Sequence, residues 1–310
     1  MTDERCKTCG RAGPPTVRLA HVRDPQSKEH FAIEACPACG VGHTTPEPED
    51  LSGYYGQSYY GGRHGFTAQY RAARRLRLLS KATEHRGQLL DIGCGDGTFL
   101  LAARAQGWNV TGTELGGTAE LSRRTGLVVR DSLEQLADLP PFDAITLWHS
   151  LEHFRDPGAT LAAVRRRLAP GGTLIVAVPD AAGLQARLFK RHWFHLDVPR
   201  HLYHFDRDSL TTLLQSSGFA LAHLHHLELE LDLFGWIQSA LNTVIPQPNV
   251  LFQSLTGKGT RWPGQLAASV ALATVLGPAA LGAMALGTLT GRGATLIAVA
   301  RPGDGRTIAP

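Results

Sequence analysis

The N-terminus lacks the apolar core of a secretory leader, because Asp3, Glu4 and Arg5 place charges at its start. The chain also lacks a concentrated basic and aromatic surface. Its formal net charge is only +4, and its two Arg-rich runs, 71–77 and 165–167, are interpreted as solvent-facing helix surfaces. These absences predict a cytoplasmic protein and disfavour nucleic acid as its partner. In a reducing cytoplasm, cysteines serve more often as metal ligands than in disulfides.

The composition is typical of a globular α/β protein, with 43% apolar residues, 19% charged residues and 34 glycines. A length of 310 residues allows one large domain with additions, or two domains.

Four of the five cysteines form two C-x-x-C pairs, each followed by glycine. Two such knuckles supply four thiolates, the tetrahedral ligand set that a structural zinc ion prefers. Short alternating runs between the pairs predict a small β-ribbon. We therefore predict a closed zinc ribbon with the ligands Cys6, Cys9, Cys36 and Cys39, serving folding or substrate docking.

A glycine-rich turn follows the apolar run Gln88–Ile92 and precedes an apolar helical pattern. The glycines Gly93, Gly95 and Gly97 let the backbone turn sharply and let a ligand approach it closely. Thr98 occupies the position where a dinucleotide fingerprint needs its third spaced glycine, so a nicotinamide site is disfavoured. We expect Thr98 to cap the helix that follows.

Strand-like and helix-like segments alternate from residue 89 to residue 178, which predicts a doubly wound parallel sheet. Glu114 ends the strand after the glycine turn, 23 positions beyond Asp91. A carboxylate there can accept both ribose hydroxyls of an adenosyl ligand.

These features resemble the class I S-adenosylmethionine-dependent methyltransferases over residues 51–229 and 294–301. The resemblance implies a Rossmann-like sheet of seven strands whose last strand is antiparallel, with S-adenosylmethionine as cofactor. It places Asp131 beside the adenine. The cofactor-binding residues that we expect are Asp91, Gly93, Cys94, Gly95, Gly97, Glu114, Asp131, Ser132 and Trp148.

Two further motifs resemble a bacterial branch of that family that acts on small molecules or quinone-like acceptors: F-D-x-I-x-L-W-H-x-L-E-H-x-x-D-P at 142–157 and W-x-x-x-D-x-P-R-H-x-x-H-F at 193–205. We expect His149 or His201 to act as general base and Arg200 to orient an anionic or carbonyl group. In the alternative, the second segment only closes over the cofactor and Arg200 pairs with Asp197. His153 is expected to make a structural hydrogen bond.

An apolar insert at 230–292 interrupts the predicted core, and its stretch 262–291 carries no charged residue. This stretch is long enough to span a bilayer, but a single span would separate the last strand from its sheet. Because Pro278 divides it, we predict two short helices that are buried or dip into one leaflet. The segment 234–255 suits an interfacial or acceptor-covering helix. Two alternatives therefore stay open for the insert: peripheral contact with the inner membrane, or burial on the domain.

The sequence thus predicts a zinc ribbon at 1–46, a linker and helix at 47–86, a cofactor-binding core at 87–229, the insert at 230–292, and a last strand with a tail at 293–310. The function expected is methyl transfer to a small-molecule, sugar or lipid-linked acceptor. The alternatives are a zinc-ribbon interaction protein with a non-catalytic cofactor domain, and a nicotinamide-dependent oxidoreductase. The aromatic and glycine cluster at 54–62 either covers a ligand or seals the core. The methylated atom and the oligomeric state stay open.

Overall fold

The computed structural model describes residues 5–55, 66–256 and 262–303, so most of the 54–62 cluster lies outside the described residues. The strands are β1 (Thr16–Arg23), β2 (His30–Ala35), β3 (Gly42–Thr45), β4 (Gln88–Ile92), β5 (Asn109–Thr113), β6 (Val128–Arg130), β7 (Phe142–Trp148), β8 (Leu168–Pro179), β9 (Tyr203–His204), β10 (Phe219–His225) and β11 (Thr295–Pro302). The helices are α1 (Phe66–Ala82), α2 (Thr98–Ala105), α3 (Thr118–Thr125), α4 (Pro157–Arg167), α5 (Leu184–Phe189), α6 (Arg207–Ser216), α7 (Leu229–Val244), α8 (Val250–Leu255) and α9 (Pro263–Leu289).

Seven strands form the main sheet in the order β10-β11-β8-β7-β4-β5-β6. Strands β6, β5, β4, β7 and β8 pair in parallel, whereas β11 runs antiparallel to both β8 and β10. The central strands β7 and β8 are apolar and almost wholly buried because helices cover both faces of a parallel sheet. The predicted Rossmann-like fold with an antiparallel last strand is confirmed. The strand order reverses at β4 and β7, where open α/β sheets bind ligands.

The glycine turn differs in one detail from the sequence prediction. Gly97, with φ +76°, is the N-cap of α2, and Thr98 is its first helical residue. The Thr98 N–H donates a hydrogen bond to Asp96 Oδ1 at 3.0 Å. The Asp96 carboxylate, and not the Thr98 side chain, therefore satisfies a free N–H group at the start of the helix. The prediction was wrong because the helix starts one residue earlier than expected, directly after the left-handed Gly97.

A second sheet has the order β1-β2-β3-β9. The first three strands form the predicted ribbon, but β9 comes from residues 203–204, inside the predicted core. The pairing of Gly42 with His204 and of His43 with Tyr203 joins the ribbon to the segment 193–205. A division at residue 46 therefore cuts through a hydrogen-bonded sheet.

The insert forms α7, α8 and α9. Pro278 lies inside α9, which continues from residue 263 to 289, so the prediction of two short helices was wrong. A proline within a helix removes one backbone hydrogen bond and does not have to end the helix. Helix α9 packs against α7 and α8. By length and composition it could cross a membrane, and little of it is buried within the protein.

Candidate active site and metal centre

A cavity of about 480 Å³ opens at the carboxyl ends of β4 and β7. Its wall is built from the glycine turn, one face of α1, the segment 193–201, and residues of α7 and α8. The ribbon contributes Pro25 and Gln26 from the turn between β1 and β2. This volume lies within the usual range for small-molecule sites.

The glycine turn lies at one end of this cavity. The backbone N–H groups of Gly93 and Cys94 both donate to the Thr113 carbonyl, at 2.8 and 2.9 Å, which fixes the turn over β5. A Cβ at Gly93 would lie 2.7 Å from the Ser150 Cβ, whereas a Cβ at Gly95 would meet no atom of the described residues within 4 Å. Gly95, with φ +56°, thus offers exposed backbone to a ligand.

Asp91 is buried at the end of β4 and lines the same end of the cavity. Its Oδ1 accepts a hydrogen bond from the Thr146 hydroxyl at 2.7 Å. Burial raises the pKa of Asp91 to about 7, against the opposing effects of Thr146 and Arg75. This carboxyl can therefore respond to a cationic ligand by ionising.

Among the described residues, four predicted cofactor ligands lie away from the cavity wall: Gly97, Glu114, Asp131 and Ser132. The Glu114 carboxylate accepts hydrogen bonds from the Gly95 N–H at 2.6 Å and from the Leu115 N–H at 2.9 Å. It therefore stabilises the glycine turn in this structure. Cys94 lines the cavity, but its N–H is bonded to Thr113 and its thiol lies near Gly112 in β5. The Cys94 backbone N–H is therefore engaged by the protein itself.

Trp148 forms part of the cavity wall at the end of β7. Its ring meets Phe99 edge to face at 5.7 Å, and the Arg75 guanidinium lies 4.7 Å from its ring centroid. Arg75 also pairs with Glu228, with Nη2 2.7 Å from Oε1. The interpretation of residues 71–77 as a solvent-facing surface was wrong for Arg71 and Arg75, which both line the cavity.

His149 follows β7 with a positive φ of 55°, a conformation that non-glycine residues adopt rarely. Its Nε2 lies 2.7 Å from Glu228 Oε2, and its Nδ1 lies 3.6 Å from Glu152 Oε1. Burial alone would lower the pKa of His149, but the two carboxylates outweigh it and raise this pKa to about 9. A ring that is protonated at neutral pH cannot accept a proton, which argues against His149 as the base.

Arg200 is buried and engaged by the protein. Its Nη2 lies 3.1 Å from Asp24 Oδ1, and its Nε donates to Asp197 Oδ1 at 2.9 Å. The structure therefore favours the alternative in which Arg200 pairs with Asp197, with a second partner from the ribbon. The predicted role of orienting an acceptor does not fit a guanidinium held by two carboxylates.

The remaining predicted base, His201, lies in a cluster with His153 and Glu152. The rings of His153 and His201 meet edge to face at 4.7 Å, and His201 Nε2 lies 3.8 Å from Glu152 Oε1. His153 makes the expected structural hydrogen bond, with Nδ1 2.9 Å from the Arg200 carbonyl oxygen. Both histidines line the cavity, and Glu152 is buried behind them.

Three residues of this charged network were missed by the sequence reasoning. Glu228 and Glu152 flank His149, and Arg75 reaches Glu228 from α1. One signal could have found Arg71 and Arg75: their i, i+4 spacing places them on the helix face that carries the buried Ala68 and Ala72. Glu228 carries no such signal because its partners lie far away in the sequence.

The four paired cysteines come together as predicted. Their sulfur atoms all lie within 4.8 Å of one another, and two of the distances, Cys6–Cys39 and Cys9–Cys36, are 3.8 Å. A tetrahedral ion with zinc–sulfur bonds of about 2.3 Å needs sulfur atoms about 3.8 Å apart. The two knuckles match: the Gly10 N–H donates to the Cys6 carbonyl at 2.7 Å and the Gly40 N–H to the Cys36 carbonyl at 2.9 Å. The residues fit a closed, structural metal site.

A family profile described as "Methyltransferase domain" matches residues 64–224, which is more than half of the chain. The chain belongs to this methyltransferase family. The family resemblance predicted from the glycine turn is thus confirmed.

Curated relatives of this methyltransferase include ubiquinone biosynthesis O-methyltransferases. The protein of Methylococcus capsulatus is 37% identical over 111 residues, which is 32% of this chain and 47% of the relative. That of Xylella fastidiosa is 35% identical over 116 residues, which is 33% of this chain and 46% of the relative. The match spans about half the length of these relatives.

Solved structures similar to this methyltransferase include a SAM-dependent methyltransferase from Archaeoglobus fulgidus. It is 17% identical, with a TM-score of 0.49, and the match covers 81% of this chain and 99% of that one. Magnesium protoporphyrin IX methyltransferase from Synechocystis PCC 6803 is 16% identical, with a TM-score of 0.44, covering 57% of this chain and 89% of that one.

Proposed function

We propose that this protein transfers a methyl group from S-adenosylmethionine to an oxygen of a small or lipid-linked acceptor. The observation that carries the proposal is the exposed backbone of Gly95 beside the buried Asp91 carboxyl, at the carboxyl ends of β4 and β7. The ubiquinone biosynthesis O-methyltransferases that share up to 37% identity with part of the chain support oxygen as the accepting atom.

The residues at this end of the cavity fit the cofactor. Exposed backbone at Gly95 suits an uncharged adenosyl group, and Asp91 suits the cationic end of the ligand. Glu114 contacts the glycine turn directly, and its carboxylate can exchange the Gly95 N–H for ribose hydroxyls. When bound, S-adenosylmethionine supplies a methyl group from a sulfonium. The sulfur departs as a neutral thioether.

The protein's own residues then position the acceptor and exclude water. Methyl transfer is an in-line displacement, so holding the two reactants in alignment contributes much of the rate. Phe99 and Trp148 form an apolar wall at the cofactor end, and Phe234 and Phe252 from α7 and α8 form one at the acceptor end. The expected role of 234–255 in covering the acceptor fits this placement.

The insert supports an acceptor with a lipid part. Helix α9 exposes apolar side chains along its length: Val270, Leu272, Val275, Leu281, Leu286 and Leu289. A helix that packs against the protein alone normally exposes a polar face, and the stretch 262–291 carries no charge to provide one. Since α9 packs against α7 and α8, whose aromatic residues line the cavity, we propose that α9 rests in a bilayer surface beside the acceptor entrance.

The Cys6, Cys9, Cys36 and Cys39 cluster is assigned to a structural zinc ion. The sulfur separations and the matched knuckles support it, and the ribbon's Pro25–Gln26 turn then forms part of the cavity wall. A closed site of four thiolates holds the fold and leaves no position open for substrate.

Calorimetry of the full chain with S-adenosylmethionine, S-adenosylhomocysteine and NAD tests the cofactor assignment. We expect one molecule of either adenosyl ligand to bind per chain, and NAD not to bind. Binding of NAD alone would support an oxidoreductase. Binding of none of the three would support an interaction protein with a non-catalytic cofactor domain.

A further inference from the structure

We propose that Glu152, His153 and His201 bind a divalent transition-metal cation in the acceptor wall of the cavity. One donor atom from each of the three residues lies within 4.8 Å of the other two. Two imidazole nitrogens and one carboxylate oxygen form a ligand set that Mn²⁺, Fe²⁺, Co²⁺ and Zn²⁺ accept. The binding itself is independent of the proposed methyl transfer, whereas its chemical use rests on that function.

The hydrogen bonds of both histidines use the same ring nitrogen, Nδ1. A carbonyl oxygen can only accept, so His201 Nδ1, 2.9 Å from the His195 carbonyl oxygen, must carry the proton of that ring. His153 Nδ1 lies 2.9 Å from the Arg200 carbonyl oxygen and 2.9 Å from the Tyr55 hydroxyl oxygen. Because the carbonyl oxygen can only accept, this Nδ1 also carries a proton, and the hydroxyl oxygen is its second acceptor. In each ring Nε2 is therefore the nitrogen that a metal ion could bind. Metal-bound histidines in proteins are held by this same arrangement, with the second nitrogen donating to a carbonyl or carboxylate.

Glu152 supplies the second observation. It is fully buried, and neither carboxylate oxygen has a hydrogen-bond partner in the described part of the chain. Its Oε1 lies 3.6 Å from His149 Nδ1 and 3.8 Å from His201 Nε2, too far for hydrogen bonds. Glu152 is thus paired with His149 by charge only, and a buried carboxylate that accepts no hydrogen bond is still costly. A cation bound by Glu152 and the two histidines would remove that cost.

The position of the cluster gives the cation a use. His153 and His201 line the cavity and Glu152 lies behind them, so the open coordination positions would face the acceptor. A bound acceptor hydroxyl would lose its proton to water more readily, because the cation stabilises the oxygen anion. That oxygen then forms the new bond to the methyl carbon while the carbon–sulfur pair returns to sulfur. The cation would thus replace the general base that the sequence predicted.

Titration with Mn²⁺, followed through the electron paramagnetic resonance signal of the free ion, tests the site. Mn²⁺ separates it from the four-cysteine cluster, because Mn²⁺ prefers oxygen and imidazole ligands to thiolates. We expect the full chain, carrying a single zinc ion held by the four cysteines, to bind one Mn²⁺. Glu152→Gln and His201→Asn should each weaken this binding by more than about 100-fold, since changes to a second shell alone cost 10- to 100-fold.

His223→Asn is the matched control, because it removes an exposed imidazole of β10 and should leave Mn²⁺ binding unchanged. Mn²⁺ should also raise the melting temperature of the wild type and of His223→Asn, but not of the other two variants. If Glu152→Gln does not fold, the wild type and His201→Asn still decide the question.

Failure of the wild type to bind Mn²⁺, or unchanged binding in folded Glu152→Gln and His201→Asn, would overturn the metal site. Calorimetry with S-adenosylmethionine in the presence of a chelator keeps the two proposals apart. Cofactor binding without Mn²⁺ binding would refute the metal site alone. Mn²⁺ binding without cofactor binding would refute the proposed function alone.

Discussion

The charges around the cavity are held as a chain of pairs. Arg75 bonds Glu228, Glu228 bonds His149, and His149 lies near Glu152. Each member is at least half-buried, so removing one leaves another as an uncompensated charge. These pairs influence which groups beside the cavity can exchange a proton near neutral pH. The raised pKa of His149, about 9, argues against it as the group that accepts a proton there.

Asp91 should make cofactor affinity depend on pH. Burial raises its pKa to about 7, so it is largely neutral at pH 6 and largely ionised at pH 8. If the ionised form binds the cationic end of S-adenosylmethionine, affinity should be about tenfold weaker at pH 6 than at pH 8. Asp91→Asn should remove this dependence and bind weakly at both values.

Calorimetry at both pH values, on the wild type and Asp91→Asn, measures this difference. The ligand's own ionisation is common to the two proteins and cancels in the comparison. An identical pH profile for the two proteins would rule out a cofactor contact through an ionised Asp91.

Gly95 and Gly171 offer a matched pair of substitutions. Both have positive φ, +56° and +73°, and a Cβ at either would meet no described atom within 4 Å. Alanine in this conformation costs roughly 1–2 kcal/mol, so both variants should lose similar stability. Only Gly95 lies in the cavity wall, so Gly95→Ala alone should weaken S-adenosylmethionine binding, by about tenfold or 1.4 kcal/mol.

Denaturant unfolding and calorimetry on the two variants check this. Equal cofactor affinity in Gly95→Ala and Gly171→Ala would mean that the ligand does not approach the backbone at Gly95.

At the scale of elements, α9 should bring the protein to lipid bilayers. Val275 and Leu289 are 76% and 86% exposed, so changing both to glutamate should leave the fold stable. Each carboxylate costs roughly 2–3 kcal/mol to bury in hydrocarbon, so the double variant should lose membrane binding. Co-sedimentation with vesicles of phosphatidylethanolamine and phosphatidylglycerol measures it.

Val17→Glu is the control for this experiment, because Val17 is 62% exposed on β1, away from α9. It should co-sediment like the wild type. A wild type that ignores vesicles but forms dimers, which the α9 double variant separates, would show that α9 binds a second copy of the chain instead.

At the scale of the whole molecule, the ribbon and the seven-stranded sheet are joined through the segment 193–205. Strand β9 pairs with β3, and the fully buried Asp24 of the ribbon meets Arg200. Asp24→Asn removes one charge from this buried pair and should cost about 1–3 kcal/mol. Because the pair lies where the ribbon contacts the core, amides of 30–45 and 201–204 should then exchange hydrogen faster, and those of β4 and β5 should not.

Hydrogen exchange followed by mass spectrometry tests this, with the exposed Asp138→Asn as control. Faster hydrogen exchange confined to the ribbon, with residues 201–204 unchanged, would contradict the proposed coupling of the ribbon to the core through the segment 193–205. Such a result would also make the ribbon an independent domain, as the predicted boundary at residue 46 implied.

Predictability differed between local and long-range features. The glycine turn, the strands and the paired cysteines were predicted because each signal lies within a dozen residues, where chain geometry constrains it. The roles of Arg75, Glu152 and Glu228 were not predicted, because the residues that surround each of them lie far away in the sequence. The prediction made from Pro278 was wrong because a proline inside a helix does not have to end that helix.

By itself the sequence determined the sheet, the cofactor turn, the family and the metal-ligand spacing, since these depend on residue order and backbone conformation. Only the tertiary structure decided the charge of His149, the partners of Arg200, and the grouping of Glu152 with His153 and His201. Those properties depend on burial and on distances of a few ångströms between segments far apart in the chain. At such distances, desolvation and neighbouring charges set the protonation state of each group.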